Sequence, residues 1–588
     1  DKGDVALAVD IHNPGTTSSS FYVTTTDSSG QTQIRTTVVP AESSGTYFVE
    51  LRSPALEIDS GIRSDPLSWE TGYTPAIWRG GTRQLDLSAI SSLKFDVRGV
   101  LEDRSFIIDN VRLVFPQAYD ENHLAGLVDE YGQNAKRDFD RKISSAEELV
   151  AAGERELSQL VSEPPEGRSR FGGWADGPRL EATWYFRTEK HNGKWWFVDP
   201  DGYLFYSNGI ANVRMSNTST MTGYDFDAAA VEQRTDGDLT PEDSIGLNRV
   251  PSHAWPTRHV SSELRANMFT WLPTLEDPLA QHFGYRRESH SGPLESGETF
   301  SFYQANLARK YETDNPQEFM DKWRDVTVDR MLSWGFTSFG NWVDPMFYQL
   351  DRFPYFANGW IIGDFKTVSS GNDYWAPLPD PFDPLFEERA YATVRQIAAE
   401  VQDNPWCIGV FIDNEKSWGM MGSVARQYGV VINTLARKDD DSPTKARFTR
   451  WLKNRHASIE DLNGAWQTDF ESWDTLSAGV ELSEFTDGMT GDFSALLELY
   501  AEQYFRIVAG AVDQLMPNHL YLGARFADWG MTPELRAASA RHVDVMSYNF
   551  YREGVSDVFW GFLADIDMPS IIGEFHNGSL DSGLLNPG

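Results

Sequence analysis

The chain of 588 residues is poor in cysteine, in basic residues and in long apolar runs. Its one cysteine, Cys407, excludes an intrachain disulfide and a cysteine-rich metal site, and its place in "NPWCIGVF" predicts a small buried side chain. The 87 acidic residues outnumber the 51 lysines and arginines, and the sequence has no basic block. This composition argues against nucleic acid or anionic polymers as partners. No run approaches the roughly 18 apolar residues of a membrane span. These absences favour a neutral ligand and predict a protein that does not cross a bilayer.

The first part of the chain has the pattern of a β-sandwich. Residues 1–117 contain short alternating runs such as "DVALAVDI" and "TYFVEL", separated by Gly, Ser, Asp and Pro. The pair "ISSLKFDVRG" and "RSFIIDNVRLVF" resembles the closing strands of jelly-roll carbohydrate-binding modules, so sugar binding and a purely scaffolding role both stay open. Residues 118–168 then predict a helical linker, because "SSAEELVAAGERELSQLV" begins like a capping box.

Residues 169–588 alternate strand-like and helical runs, which is the pattern of parallel βα units. Seven strands are predicted, and together they indicate a (β/α)8 barrel. Too few residues follow the seventh strand for an eighth unit, so the chain is expected to be a portion of a longer protein. An open doubly wound sheet is the alternative. The predicted strands lie in "GYLFYSNGIANV", "FTSFGNW", "GWIIGDF", "CIGVFIDNE", "YLGARF", "VDVMSYNF" and "SIIGEF".

Two glutamates end strands of this predicted barrel. Glu415 closes "CIGVFIDNE" and Glu574 closes "SIIGEF", and active sites of such barrels lie at the carboxyl ends of the strands. Glycoside hydrolysis needs this pair of groups, an acid that protonates the leaving oxygen and a carboxylate that attacks or activates water. A separation of about 5 Å would indicate retention and one of about 7 to 9 Å inversion.

The order of motifs resembles a known family. "DNE" on strand four with a second Glu on strand seven is similar to glycoside hydrolase clan A, and "GKWWFVDPDGYLFYSNGIANVRMSN", "WGFTSFGNWVDP" and "IIGEFHNGSLDSG" resemble family 50, the β-agarases. "FTRWLKNRHASIEDLNGAWQTDFESWDTL" is similar to family 42 β-galactosidases. The resemblance implies a retaining enzyme acting on agarose and neoagaro-oligosaccharides. It makes Glu415 the acid/base, Glu574 the nucleophile, Asn414 a ligand of the sugar 2-hydroxyl, and Tyr548 the residue that orients Glu574.

Further residues near the predicted strand ends are candidates for sugar contact, because aromatic faces suit pyranose rings and polar groups suit hydroxyls. The long segments at about 216–315 and 420–490 are too large for simple barrel loops and predict cleft walls that favour exo action, although endo action stays open. The candidate substrate-binding residues are Arg214, Asn341, Trp342, Trp418, Arg525, Asp528, Trp529 and His576.

Other readings remain at this stage. A metal-dependent hydrolase could use Asp413 with Glu415 and Glu574 with His576. A porphyranase, a β-galactosidase and a non-catalytic galactan-binding protein are further alternatives. No catalytic cofactor is predicted, whereas a structural calcium ion in the sandwich is allowed. The expected location is secreted, periplasmic or at the cell surface, with an export signal that was removed or never present, and the oligomeric state is undetermined.

Overall fold

A computed structural model describes residues 5–51, 74–82, 84–115, 121–216, 218–235, 237–289 and 294–576. Within these residues, no helix is both long enough and apolar enough to cross a membrane.

The N-terminal part is a sandwich of two four-stranded sheets, as the alternating pattern predicts. In the strand Ser19–Asp27 every second residue is buried, so Phe21 and Val23 enter the core between the sheets. Leu7, Val9 and Ile11 enter it from the other sheet. The first sheet contains Ser43–Glu50, Ala6–Asn13, Ile107–Val114 and the short Thr74–Pro75; the second contains Ile77–Gly81, Thr32–Val39, Ser19–Asp27 and Ile90–Val97.

One helix, Ala146–Leu157, joins the sandwich to the barrel. Half of the predicted capping box is present, since the Ser145 side chain accepts a hydrogen bond from the Glu148 amide. The Glu148 carboxylate accepts instead from the amide of Ser144, one residue before the cap. Most of the predicted linker around this helix consists of turns. Glu156 then binds Arg330 and Lys310, which fixes the helix against the barrel.

Seven parallel strands of a (β/α)8 barrel lie within the described residues, and this confirms the predicted fold class. The third strand differs from the prediction: it is Tyr355–Gly359, whose pairing with strand four ends at Gly359 and Ile412, so most of "GWIIGDF" follows it. In order, the strands are Gly209–Ile210, Ser338–Phe339, Tyr355–Gly359, Cys407–Ile412, Leu520–Tyr521 with its continuation Phe526–Ala527, Met546–Asn549 and Ser570–Glu574.

Amphipathic helices cover the strands. In Pro316–Ser333 the predicted stripe of Phe319, Trp323, Val326 and Met331 is buried, as expected from its helical spacing. Cys407 is fully buried in strand four, also as predicted. The remaining helices are Glu263–Ala266, Phe302–Lys310, Pro384–Val401, Val424–Gln427, Gly429–Leu435, Pro443–Arg455, Ile459–Trp466, Trp473–Ser477, Asp487–Leu515, Pro533–Ala540 and Asp557–Trp560, with short 3-10 turns at Glu121–Leu124, Ala228–Ala230, Glu242–Ser244, Trp255–Thr257, Pro278–His282, Pro345–Leu350 and Gly561–Asp565.

Small sheets extend the barrel around its rim. The insertion between strands one and two carries two of these four sheets, so this long segment is folded structure. The additional strands are Arg187–His191, Lys194–Val198, Leu204–Phe205, Thr220–Met221, Tyr224–Asp225, His259–Val260, Phe283–Arg286, Gly297–Phe300, Thr367–Val368 and Leu378–Pro379.

Candidate active site

Glu415 lies just beyond strand four in a largely buried position, with 8% of its surface exposed. Asn549 Nδ2 donates to its Oε1 at 2.9 Å, and Trp375 Nε1 donates to its Oε2 at 3.2 Å. Burial, followed by the nearby negative charge of Glu574, raises the pKa of Glu415 despite these two donors. A carboxyl group with a raised pKa can hold a proton and donate it.

Glu574 ends strand seven in a different environment. Its Oε1 accepts hydrogen bonds from Asn341 Nδ2 and Trp342 Nε1, both at 2.6 Å. Its Oε2 accepts from the Tyr551 hydroxyl at 2.5 Å. The guanidinium of Arg525 lies 4.0 Å from Oε1. Three donors and one cation around a single carboxylate suit an anionic nucleophile rather than a proton donor.

Arg525 lies beneath both glutamates and is essentially inaccessible, with 1% of its surface exposed. Its Nε donates to Asn414 Oδ1 at 2.8 Å and its Nη1 donates to Asn358 Oδ1 at 3.1 Å. Its guanidinium also stacks on the ring of Trp342, 4.3 Å from the centroid. Burial lowers the pKa of Arg525 to about 10, so the group is still charged at neutral pH. Its predicted role as a direct sugar contact is wrong, because it supports the site from below.

Asn414 directly precedes Glu415 and is largely buried. Its Oδ1 accepts from both Arg525 and Asn549, the latter at 2.9 Å. These bonds orient the amide, and among the described residues they involve only its oxygen. The amide nitrogen is therefore the atom that could meet a sugar hydroxyl, which stays a prediction.

The backbone is unusual at four residues, which lie at three of the strand ends. Asp413, Glu415, Arg525 and Trp342 have positive φ angles of 65°, 44°, 42° and 59°. Residues other than glycine rarely adopt this left-handed conformation, and where they do the surrounding structure has to hold them. At these positions the backbone changes direction as it leaves the strands, so that the Glu415 carboxylate, the Arg525 guanidinium and the Trp342 indole come together.

A cavity of about 580 Å³ meets this cluster at Trp342 and Asn358, and neither Glu415 nor Glu574 lines it. Arg214 and Trp342 line it, and their contact with sugar stays a prediction. Trp360 stacks on Trp342 with ring centroids 4.9 Å apart. Residues 237–240 and 244–246 of the first insertion also line the cavity. Arg214 also donates to Ser244 Oγ at 3.1 Å, which ties the insertion to the barrel.

Two predicted substrate contacts lie elsewhere. Trp418 is fully buried, with its ring 4.8 Å from Tyr504 and 5.8 Å from Phe505, so its predicted contact with sugar is wrong. Tyr548 packs on Trp560 in the core, and its hydroxyl has no hydrogen-bond partner in the described part of the chain. The prediction that Tyr548 orients Glu574 is therefore wrong.

Asn341 has only 1% of its surface exposed and supports Glu574, which replaces its predicted role as a sugar contact.

The other predicted rim residues are nearer to solvent. Asp528 forms an ion pair with Arg552 at 2.6 Å. Trp529 packs against Tyr374, which in turn packs against Trp375, so an aromatic group borders Glu415. His576 is exposed beside the ring of Tyr551. Sugar contact by Asp528, Trp529 and His576 stays a prediction.

Sequence reasoning missed four residues that contact or orient the glutamates. In a strand that alternates, Asn549 and Tyr551 lie on the face opposite to Tyr548. The available signal for Asn549 was a polar residue at the end of a buried strand. Asn358 is likewise a polar residue near the end of a strand, the third, whose position was predicted wrongly. Trp375 lies in a loop, where no pattern pointed to it. The four residues are Asn358, Trp375, Asn549 and Tyr551.

The alternative metal site does not assemble. Asp413 accepts from the Ile361 amide at 3.0 Å and from the Tyr504 hydroxyl, and it pairs with Lys416, so it is committed to structural contacts. In the regions that the structure describes, no group of three or more His, Cys, Asp or Glu side chains could hold an ion. The calcium ion in the sandwich stays a prediction.

Comparisons with known proteins give matches over the whole chain. Residues 1–124 match the family described as Agarase CBM like domain, and residues 380–557 match the family described as Beta-galactosidase. Beta-agarase B of Vibrio sp. (strain JT0107) is 41% identical over 602 residues, covering 100% of this chain and 60% of that protein. The chain thus spans less than two thirds of that relative.

Two solved structures are similar at higher identity. One, of an exo-beta-agarase, is 50% identical with a TM-score of 0.96, over 98% of this chain and 79% of that one. The other, PfGH50B, is 48% identical with a TM-score of 0.92, over 99% of this chain and 80% of that one.

Proposed function

The chain belongs to glycoside hydrolase family 50, the β-agarases, and we propose that it hydrolyses β-1,4-galactosidic linkages of agarose and neoagaro-oligosaccharides with retention. The observation that carries the proposal is the difference between the two carboxyl groups. Glu415 is buried with a raised pKa, whereas Glu574 accepts three hydrogen bonds beside a guanidinium. Acid and nucleophile are assigned by these environments.

The two steps follow from this assignment. Glu574 attacks the anomeric carbon while Glu415 gives its proton to the departing glycosidic oxygen, which leaves a galactosyl ester on Glu574. Glu415, now ionised, takes a proton from a water molecule, and that water displaces Glu574 from the sugar. The product keeps the β configuration. Asn414, held by Arg525 and Asn549, would hydrogen-bond the 2-hydroxyl of the same sugar during both steps.

Exo action with release of neoagarobiose-type products is part of the proposal. Its support is the folded first insertion, whose residues 237–240 and 244–246 line a cavity together with Trp342, a residue that bonds to Glu574. The similarity to a solved exo-beta-agarase supports it further. The proposal includes a secreted, periplasmic or cell-surface location, where a polymeric galactan is accessible.

Product analysis tests the activity. The protein, with whatever natural sequence flanks these residues retained, is incubated with agarose and with neoagarohexaose, and products are separated by chromatography over time. Accumulation of neoagarobiose from the earliest time points is expected. An even ladder of oligosaccharides would instead show endo action, and intact agarose that nevertheless binds the protein would favour the galactan-binding alternative.

Azide rescue tests the two roles separately. With an activated aryl glycoside, Glu574→Gly in azide is expected to yield the α-glycosyl azide, because azide takes the place of the nucleophile. Glu415→Ala is expected to yield the β-glycosyl azide, because azide attacks the covalent intermediate without needing a general base. Exchange of the two outcomes would reverse the assignment.

A β-galactosidase is the second candidate, since residues 380–557 match that family. Hydrolysis of a nitrophenyl β-galactoside without hydrolysis of neoagaro-oligosaccharides would favour it. A porphyranase would instead require cleavage of sulfated galactan.

A further inference from the structure

The segment that follows strand six connects the active site with the N-terminal sandwich. Asn549 donates to Glu415, and Tyr551 donates to Glu574. Two residues later Glu553 leaves the barrel surface and contacts the sandwich. We refer to residues 549–554 as the bridging segment.

The sandwich holds Glu553 through several bonds. Arg104 Nη2 donates to both carboxylate oxygens at 2.8 Å, and the Leu101 amide donates to Oε2 at 3.0 Å. The Glu553 amide donates to the Gly99 carbonyl at 3.3 Å. Side-chain exposure is 16% for Arg104 and 31% for Glu553, so the pair is partly desolvated and more than a surface contact.

The sandwich side of this contact is a short loop between its two sheets. Residues 99–104 join the strand Ile90–Val97 of one sheet to the strand Ile107–Val114 of the other. Gly554 packs so closely on Leu101 that a methyl group there would lie 2.7 Å from Leu101 Cδ1. The bridging segment therefore ends on a surface whose position both sheets determine.

Tyr551 depends on this anchoring. Its surface is 49% exposed and its ring lies against His576, which is itself exposed, so packing restrains the ring only weakly. Its neighbours on either side are fixed, Phe550 by the rings of Phe559 and Trp560, and Arg552 by Asp528. The contact of Glu553 with the sandwich completes the restraint on the far side of Tyr551.

We propose that Arg104 of the sandwich is a positioning residue for the nucleophile: by fixing Glu553 it keeps the Tyr551 hydroxyl on Glu574. This inference is based on the proposed function, and it gives the sandwich a role in turnover that is separate from any binding of sugar. Desolvation within the site and the Glu574 charge raise the pKa of Tyr551, so the phenol stays a donor at any working pH.

The test measures kcat and KM separately on neoagarohexaose for Arg104→Met. Because small displacements of a reacting group reduce rates strongly, kcat is expected to fall about tenfold to a hundredfold while KM changes less than about twofold. Arg352→Met is the matched control, since it removes a 2.9 Å pair with Asp329 of comparable exposure away from the bridging segment. Its kcat is expected to equal that of the unmodified protein.

A double-mutant cycle distinguishes positioning from general destabilisation. If Arg104 acts through Tyr551, Arg104→Met has no further effect on kcat when Tyr551→Phe is already present. The exchange Arg104→Glu with Glu553→Arg should restore much of the lost kcat. Glu553→Gln provides a milder variant should Arg104→Met fold poorly, because its one remaining oxygen can still accept from the Leu101 amide, while the charge and one of the two acceptors for Arg104 are lost.

Additive losses in the cycle, an unchanged kcat in Arg104→Met and Glu553→Gln, or a change confined to KM would each overturn the inference. The unmodified protein serves as the separate control for function. If it fails to hydrolyse any galactan, the proposed function has failed and this inference falls with it; if it is active and the variants match it, only the role of Arg104 is wrong.

Discussion

Replacement of Arg525 by methionine separates two explanations of why a buried arginine lies at the centre of this site. As a direct sugar ligand it would contribute to substrate affinity. As the structure has it, Arg525 orients Asn414 and neutralises Glu574 without reaching the cavity. Methionine approximates the length of the side chain and its apolar packing on Trp342, while it removes all donors and the charge.

The expected loss can be estimated from the bonds that disappear. The bond from Arg525 to Asn414 involves a charged donor, and such bonds contribute about 1.5–3 kcal/mol. The attraction to Glu574 at 4.0 Å is on the order of 4 kcal/mol at an effective dielectric constant of 20. Most of this attraction to Glu574 is offset, because the buried guanidinium has lost its hydration and because Glu574 keeps its three hydrogen-bond donors. A net loss of about 1.5–3 kcal/mol in the transition state corresponds to a roughly tenfold to 150-fold lower kcat.

Steady-state kinetics on neoagarohexaose, with thermal unfolding in parallel, measures this effect. Loss of kcat with nearly constant KM is expected for Arg525→Met, because the interactions lost are those of the reacting centre. Arg525→Lys keeps the charge, yet it cannot reach Asn358 and Asn414 together, so it should recover little of the kcat. A folded Arg525→Met variant with unchanged kcat and raised KM would refute the reasoning and restore the role of a sugar contact.

Three further predictions concern neighbouring residues. Asn549→Leu removes a donor that favours the ionised form of Glu415, so the pKa of Glu415 should rise. The alkaline limb of the rate profile, where the proton donor is lost, should therefore move to higher pH. A shift to lower pH would contradict this. Trp418→Ala should lower the free energy of unfolding in denaturant by about 3–5 kcal/mol and leave KM unchanged, since the indole is wholly in the core. Gly573→Ala should lower kcat, and it should lower the free energy of unfolding by about 1–3 kcal/mol, because the added methyl would fall 2.7 Å from Arg525 Cδ. Normal activity in this variant would show that the guanidinium can move freely.

The sequence was informative where a pattern repeats or a charge interrupts it. Alternation predicts the sandwich, and the helical spacing of Phe319 and Trp323 predicts a buried face. Glu415 and Glu574 could be found because a carboxylate at the end of an apolar strand has few structural uses. None of these inferences required knowledge of how distant elements meet.

Side-chain direction beyond a strand end was not predictable in the same way. Glu415 has a φ of 44°, so the chain turns there and carries Trp418 back into the core beside Tyr504. In strand six, a break in register between Tyr548 and Asn549 shifts the pairing with strand seven. A parity count along "SYNFY" therefore selects Tyr548, whereas the hydroxyl that meets Glu574 belongs to Tyr551.

The same stretch of chain also links the two carboxyl groups to each other. Asn549 bonds to Glu415 and Tyr551 bonds to Glu574, so one backbone segment restrains the proton donor and the nucleophile together. A displacement of this segment changes the surroundings of both groups at once, whereas Trp375 contacts only the acid. Because formation and hydrolysis of the covalent intermediate use the two groups in turn, the segment affects both steps. This dependence gives a physical reason for anchoring its far end to the sandwich instead of leaving it as an exposed loop.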